Sequence, residues 1–390
     1  MTFANGRTTL AIPGPSPLPD RVLRAMARPS PDIYSGELPA LNLRLMAGLK
    51  RLAGTRAHLA AYIGNGHAGW EAAIANLFHR GERALVLTSG HFGHGWARAA
   101  QAMGVEVEIM DFAARAADPA QLAERLAADK DHLIKAVLVC HIDTATSVQA
   151  DLMALKAAIG DHPALFAVDA IASLGCAELC MDDWGIDVLV SASQKGLMSP
   201  PGAAFVWFSE RAKAMGPSDM ATPYWNWHAR AEATELWQFW DGTAPVQMIY
   251  AANEALTMIL DEESLPAVWA RHEGLARAVW AAFEAWGKDG SGITLTVAEP
   301  SERARSVTAA TLPRADELRA WCDQKAGLVL GLGLGAEDAA NALRVAHMGH
   351  ANAHQILGTL AVMEAGMTAL AIPHGAGAIE AAARVIAERA

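Results

Sequence analysis

The sequence predicts an α/β protein: a large unit with a mostly parallel sheet sandwiched by helices, then a smaller α+β unit at the C-terminal end. Three observations carry this. From residue 58 onward, short apolar runs alternate with longer amphipathic segments, the rhythm of strand–helix–strand crossovers. The chain has 390 residues, beyond the roughly 250–300 at which a single core stops growing. Hydrophobic residues make up 52% of it and charged residues 19%, a composition that fills cores and excludes disorder.

In chain order, residues 1–20 hold IPGPSPLPD, a proline-rich arm that cannot be regular helix. Helices are predicted over 21–26 and 38–52, the second with apolar spacing near 3.6. HLAAYIG, ALVLTSG, EVEIMDF, AVLVCHID, ALFAVDA and DVLVSAS are strand candidates. Helices at 69–79, 95–103, 118–128 and 150–159 fall between most of them. Such alternation argues for strands covered on both faces. Residues 213–245 break the rhythm with Trp225, Trp227, Trp237 and Trp240 and read as irregular. A long helix is predicted from 245 to 263. Beyond DEESLP come helices near 266–286, 315–325 and 351–366, with strands near 292–297, 305–312 and 328–331. The expected organisation is an arm (1–20), a large ligand-binding unit (21–265) and a small C-terminal unit (266–390).

Lys plus Arg number 31 against 42 Asp plus Glu, a net charge of −11 without basic runs, which disfavours nucleic-acid and anionic-membrane partners. Cysteines 140, 176, 180 and 322 form neither a CxxC pair nor a disulfide framework and read as reduced thiols. MTFANGRTTL lacks a secretory apolar stretch, and no apolar run is long enough to span a bilayer, so a cytoplasmic protein is expected.

The chemistry concentrates at predicted strand ends. Lys195 follows VLVSAS and precedes GLMSPPG, small residues that let a planar ligand approach. Desolvation there would lower its pKa and free the amine for a carbonyl, although a solvated loop lysine is the plainer reading of its position alone. Asp169 ends ALFAV one crossover upstream, and open α/β sheets bind ligands at carboxyl ends of strands. A buried carboxylate needs a cation, and the protonated pyridine nitrogen of pyridoxal phosphate would supply one. A helix cap explains Asp169 equally well. IGNGHAGWEAAIANLF places glycines before a helix, where free N–H groups and the dipole favour a phosphate, with Gly66 and His67 as contacts. Phe92, after ALVLT, would stack on a flat ring or serve as core. Thr144, after AVLVC, brings a hydroxyl to the same edge. Arg344, in an apolar setting, would hold a carboxylate bidentately or form a structural salt bridge.

Two other readings are weak. GLGLG at 331–335 lacks the GxGxxG spacing of a dinucleotide site. His347, His350 and His354 share helical spacing, but Gly349 lies among them and no HExxH or cysteine set accompanies them, so no metal is expected.

Taken together, PGPSPLPDRVLRAM, NGHAGWEAAIANLF, HPALFAVDAIASLGC, MDDWGIDVLVSASQKGLMSPPG, GTAPVQMIYAANEAL and RVAHMG resemble class V, fold-type I pyridoxal-phosphate aminotransferases of the serine–glyoxylate and alanine–glyoxylate group. The likeness runs over nearly the whole chain. It implies that Lys195 is the Schiff-base lysine and proton shuttle, working by ping-pong transfer from serine or alanine to glyoxylate or a similar 2-oxo acid. Asp169 would pair with the pyridine nitrogen, Phe92 stack on the ring and Thr144 lie near the ring oxygen. Gly66, His67 and Gln194 would hold the phosphate, with Thr243 and Trp240 reaching it from the neighbouring subunit of a homodimer with shared sites. Arg344 would bind the substrate carboxylate, and Tyr34, where relatives carry an arginine, would contact substrate or pack at the arm. Ala346 and Ser147 stand where glycines are usual in the family. The alternatives on this fold are a pyridoxamine–pyruvate type of aminotransferase and a lyase or desulfurase, for which Cys322 is the one small-unit cysteine. A chain that had lost catalysis is disfavoured by the presence of both Lys195 and Asp169.

Overall fold

Two main sheets organise the chain, one of seven strands and one of five, in a computed structural model that describes residues 2–389. In chain order the first part comprises β1 (Thr9–Ala11), α1 (Asp20–Met26), α2 (Glu37–Leu52), β2 (His58–Gly64), α3 (Gly66–Leu77), β3 (Arg83–Thr88), α4 (His91–Met103) and β4 (Glu106–Asp111). Then come α5 (Pro119–Ala128), β5 (Ile134–Cys140), the short hairpin β6 (Ile142–Asp143) and β7 (Val148–Gln149), α6 (Leu152–Ile159), β8 (Leu165–Asp169), β9 (Val188–Ala192) and β10 (Gly202–Phe208).

The large sheet runs β2-β10-β9-β8-β5-β3-β4. Strands β4, β3, β5, β8 and β9 pair in parallel, and β10 is antiparallel to both neighbours. The mostly parallel sheet expected from the alternation is therefore present, with β10 as its reversed member. Its strands alternate between two cores. Leu85, Leu87, Val137, Val139, Phe166 and Val168 enter one, while Ala84, Val86, Ala136, Leu138, Leu165 and Ala167 enter the other. A parallel sheet buried on both faces needs apolar side chains at every position, which is why these strands read as continuous apolar runs. Register places Cys140 beside Asp169 and Asp169 beside Val190, so β5 and β8 end at one level and β9 runs two residues further.

After β10 come α7 (Glu210–Lys213), α8 (Trp227–Ala231), α9 (Leu236–Trp240) and α10 (Val246–Leu256). The segment 213–245, expected as irregular, thus contains two short helices, α8 and α9, in an otherwise irregular path. The single helix expected over 245–263 is α10 followed by a π-helical stretch, Thr257–Glu263. The remaining elements are α11 (Leu265–Trp286), β11 (Thr294–Leu295), β12 (Val307–Thr311), α12 (Ala315–Ala326), β13 (Leu328–Leu332), β14 (Ala342–Ala346), α13 (Ala353–Ala369) and α14 (Ala378–Ala387).

The five-stranded sheet runs β1-β13-β14-β12-β11 and packs with α11 to α14 around a core of its own. Residues 1–20 are more than an arm: β1 pairs in parallel with β13 and completes this sheet. No helix among the described residues is long and apolar enough to cross a membrane.

Candidate active site

Asp169 is the last residue of β8 and is almost wholly enclosed. Its Oδ1 accepts the Ile171 N–H at 2.7 Å, and its Oδ2 accepts the Trp70 indole N–H at 3.0 Å and the Cys140 thiol at 3.6 Å. The capping explanation is thus half realised, since one oxygen caps the turn that follows while the other points to neutral donors. Burial pushes its pKa up to about 6.

Lys195 lies three residues past β9 and borders the same cavity as Asp169. It is half-buried along the cavity wall, not the solvated loop lysine its position alone suggests. Burial first, and the Arg344 guanidinium second, bring its pKa down to about 8. Its amine donates to the Pro13 carbonyl. The loop is stitched to the N-terminal segment, with Ser16 Oγ donating to the Lys195 carbonyl at 2.8 Å and Ser16 N to the Gln194 carbonyl at 2.9 Å. Gly196 is needed next to the lysine, because a Cβ there would lie 2.2 Å from the Leu174 carbonyl oxygen.

The cavity has a volume of about 220 Å³ and is bordered by Gly14, Pro15, Asn65, Gly66, His67, Trp70, Phe92, Thr144, Asp169, Gln194 and Lys195, among others. At one end α3 begins: Asn65 caps it, its Oδ1 taking the His67 N–H at 3.0 Å, which leaves the Gly66 amide for a ligand. A Cβ on Gly66 would come within 2.4 Å of Ile171 Cδ1. Burial lowers the pKa of the His67 imidazole. Gln194 Oε1 is enclosed and has no hydrogen-bond partner.

Phe92 stands half-buried at the start of α4, its ring 6.5 Å from that of Trp70. Its place is fixed by Asp143, a residue the sequence reading did not single out. Asp143 Oδ2 accepts the N–H groups of Phe92 at 2.8 Å and Gly93 at 3.2 Å, and Oδ1 accepts that of Ala145 at 2.9 Å. Thr144 follows and presents a hydroxyl without a partner among the described residues.

Arg344 lies on β14, next to the cavity rather than in its lining. Its Nε donates to the Leu332 carbonyl at 2.7 Å and Nη1 to the Thr144 carbonyl at 2.9 Å. It is 7% exposed and forms no ion pair among the described residues, so the salt-bridge explanation fails. Burial draws its pKa down to about 10.

Three expected site residues lie elsewhere. Trp240 is 1% exposed, and its indole N–H donates to Asn42 Oδ1 at 2.9 Å, so it is a core residue of this chain and cannot reach a neighbouring subunit. Thr243 is exposed outside the cavity. Tyr34 is 85% exposed, also outside it. Of the histidines weighed as metal ligands, His347 is enclosed between Thr308 Oγ1 and the Arg305 carbonyl, and no group of metal-ligating side chains occurs among the described residues. Besides Asp143, the sequence reading passed over Pro13, Gly14 and Trp70. The PGPS motif was the visible signal for the first two.

Residues 49–327 match the family model described as aminotransferase class-V. The chain is 34% identical over 372 residues to a serine–glyoxylate aminotransferase of Methylorubrum extorquens, covering 92% of this chain and 90% of that one. It is also 34% identical over 391 residues to an L-aspartate–glyoxylate aminotransferase of Paracoccus denitrificans, covering 96% and 94%. Among solved structures it resembles a pyridoxamine–pyruvate aminotransferase from Mesorhizobium loti, with a TM-score of 0.90 and 26% identity over 100% of both chains.

Proposed function

The chain belongs to the class-V aminotransferases, which work with pyridoxal phosphate, and from that membership we propose that it transfers an amino group from serine or alanine to glyoxylate or a similar small 2-oxo acid. The residues present suit the cofactor. The Gly66 amide at the start of α3 has no partner among the described residues, and Asp169 Oδ2 meets only neutral donors at the border of the cavity. Gly66, His67 and Gln194 would hold the phosphate, Phe92 would cover the ring, Thr144 would serve its oxygen, and Asp169 would pair with its nitrogen. When bound, the protonated ring acts as an electron sink for charge developing at the substrate's α-carbon.

The observation that carries the reading is Lys195 in the cavity wall, under the influence of Asp169 and Arg344, half-buried and with its pKa lowered to about 8. Such an amine has a usable neutral fraction near physiological pH, where an ordinary lysine has almost none, so Lys195 Nζ would be able to attach the cofactor and, once freed, to take the donor's α-proton and return it. Arg344 orients the substrate by its carboxylate through Nη2 and the remaining Nη1 proton. The two half-transfers alternate on one site, so kinetics are ping-pong. In this reading the protein acts as a cytoplasmic homodimer, and Thr243, exposed in a single copy, would serve the neighbouring subunit's site.

Cys322, the cysteine a desulfurase would need on a mobile loop, is buried on α12 with its pKa pushed up to about 12. The pyridoxamine–pyruvate reading draws support from the structural likeness. It predicts purification without phosphorylated cofactor, whereas the phosphate end of the cavity supports retention. The decisive experiment adds serine, alanine, glycine and aspartate in turn to the loaded protein and follows its visible absorbance. Serine or alanine should bleach it and glyoxylate restore the lost amino-group acceptor; no bleaching by either amino acid overturns the proposal.

A further inference from the structure

Trp70 sits on α3, three residues after His67, and would ordinarily pass as core. It stacks on Trp96 with ring centres 6.2 Å apart and planes 15° from parallel, and His67 packs on it at 4.6 Å. It also borders the cavity, meets Phe92 edge-on and donates its indole N–H to Asp169 Oδ2 at 3.0 Å. One side chain therefore touches the helix that begins the phosphate end, the aromatic ring over the cavity and the carboxylate at its base.

We propose that Trp70 is a positioning residue for the cofactor: its N–H fixes the Asp169 carboxylate in the orientation and charge state that pair with the pyridine nitrogen. This rests on the reading that Asp169 makes that pair. The Ile171 N–H anchors Oδ1, leaving Oδ2 to the ring nitrogen, and Trp70 is the shorter of the two contacts that hold Oδ2. The longer, from Cys140, is a weak thiol donor. A donor to a carboxylate stabilises its ionised form. Burial raises the Asp169 pKa to about 6, and the Trp70 contact opposes that rise. The other ionisable groups around this carboxylate are Cys140 on β5, Asp143 on β6, His67 on α3 and Lys195 beyond β9; of these His67 also packs on the indole, and a variant that keeps the indole's shape leaves that contact in place.

The test measures binding of pyridoxine 5′-phosphate to the apoprotein by equilibrium dialysis across pH. This probe has the ring and phosphate but no aldehyde, so attachment to Lys195 does not enter. Where Asp169 is protonated before binding, a proton must leave to form the pair, so affinity falls as pH drops below the Asp169 pKa. Removing the indole donor should move that break upward by about one pH unit in Trp70→Phe, the size expected of a hydrogen bond to a charged group. Trp96→Phe cuts the same aromatic stack without touching Asp169, and its break should stay at the wild-type pH. If Trp70→Phe does not fold, 3-benzothienylalanine placed at position 70 keeps the shape and removes only the N–H. An unmoved break in the Trp70 variant, or an equal shift in Trp96→Phe, overturns the proposal. Asp169→Asn separates the two levels: a break that persists there defeats the Asp169 pairing itself, whereas one that vanishes there but ignores the indole defeats only the role of Trp70.

Discussion

The Lys195 amine is held by the carbonyl of Pro13, a residue from the far end of the chain, two positions past β1. The five-stranded sheet thereby reaches the lysine through its own edge strand. Gly14 makes this closeness possible: its φ is +113°, and a Cβ there would lie 2.6 Å from both Cε and Nζ of Lys195.

Gly14→Ala should accordingly impair the site more than the fold. The clash is with the flexible end of a side chain, so the lysine swings away and the cost falls on its placement. We expect cofactor attachment to slow at least about tenfold, a misplacement effect of order 1.4 kcal/mol, while Tm drops only a few degrees. Equal losses in stability and attachment, compared by thermal melts and stopped-flow absorbance, would contradict this.

The depressed pKa of Lys195 sets a pH dependence. Only the neutral amine attacks an aldehyde, so the rate at which pyridoxal 5′-phosphate attaches to the apoprotein should rise with pH and level off above about 8. Arg344→Gln removes the second cause of the depression and should move the midpoint upward. Stability follows the same linkage. The folded pKa lies below the ordinary value of 10.5, so between about pH 8 and 10.5 the unfolded chain binds more protons and this group's contribution to apoprotein stability rises with pH. Lys195→Met, which has no such group, should lack that slope in denaturant titrations.

Much of this site is legible in the sequence, for a physical reason. Parallel strands buried on both faces announce themselves as apolar runs, and Asp169 and Lys195 sit at the ends of two of them. The glycines before α3 mark a helix start just as openly. What stayed hidden depends on partners distant in sequence. The role of β1 is set by β13, more than three hundred residues away, and three residues carry too little periodicity to declare a strand. Arg344 stood out, but β14 beneath it did not. Trp70 resembles any helix-face tryptophan until its hydrogen bond to a residue 99 positions later is seen. Trp240 erred the other way: an aromatic in an irregular segment looks free to reach outward, and only packing against Asn42 reveals it as core.

Ser147, where the family usually has glycine, adopts φ +62°. A side chain in that region costs roughly 1–2 kcal/mol, but the serine recovers part of it by accepting the Ala309 N–H from β12 at 3.0 Å. Ser147→Ala keeps the strain and leaves a buried N–H unpaired, so it should destabilise by about 1–3 kcal/mol. Ser147→Gly loses the same bond but sheds the strain and should fall nearer wild type. Urea denaturation of the two variants checks the order, and a glycine variant less stable than the alanine variant would refute it.

Arg344 is pinned by two main-chain carbonyls, from Leu332 and Thr144, which fixes its guanidinium beside Lys195 without neutralising it. Lysine at this position keeps a charge but cannot span both carbonyls and a ligand with one ammonium. Arg344→Lys should therefore raise KM for alanine and glyoxylate at least about tenfold, as expected for losing a charge-assisted pair of order 1.5–3 kcal/mol. The loss should depend on the substrate's carboxylate. Ethylamine, which has an amino group and no carboxylate, should bleach the loaded wild type and the variant at similar slow rates. If the variant slows ethylamine as much as alanine, Arg344 acts on the lysine or the fold rather than on the substrate, and its assignment as the carboxylate anchor falls.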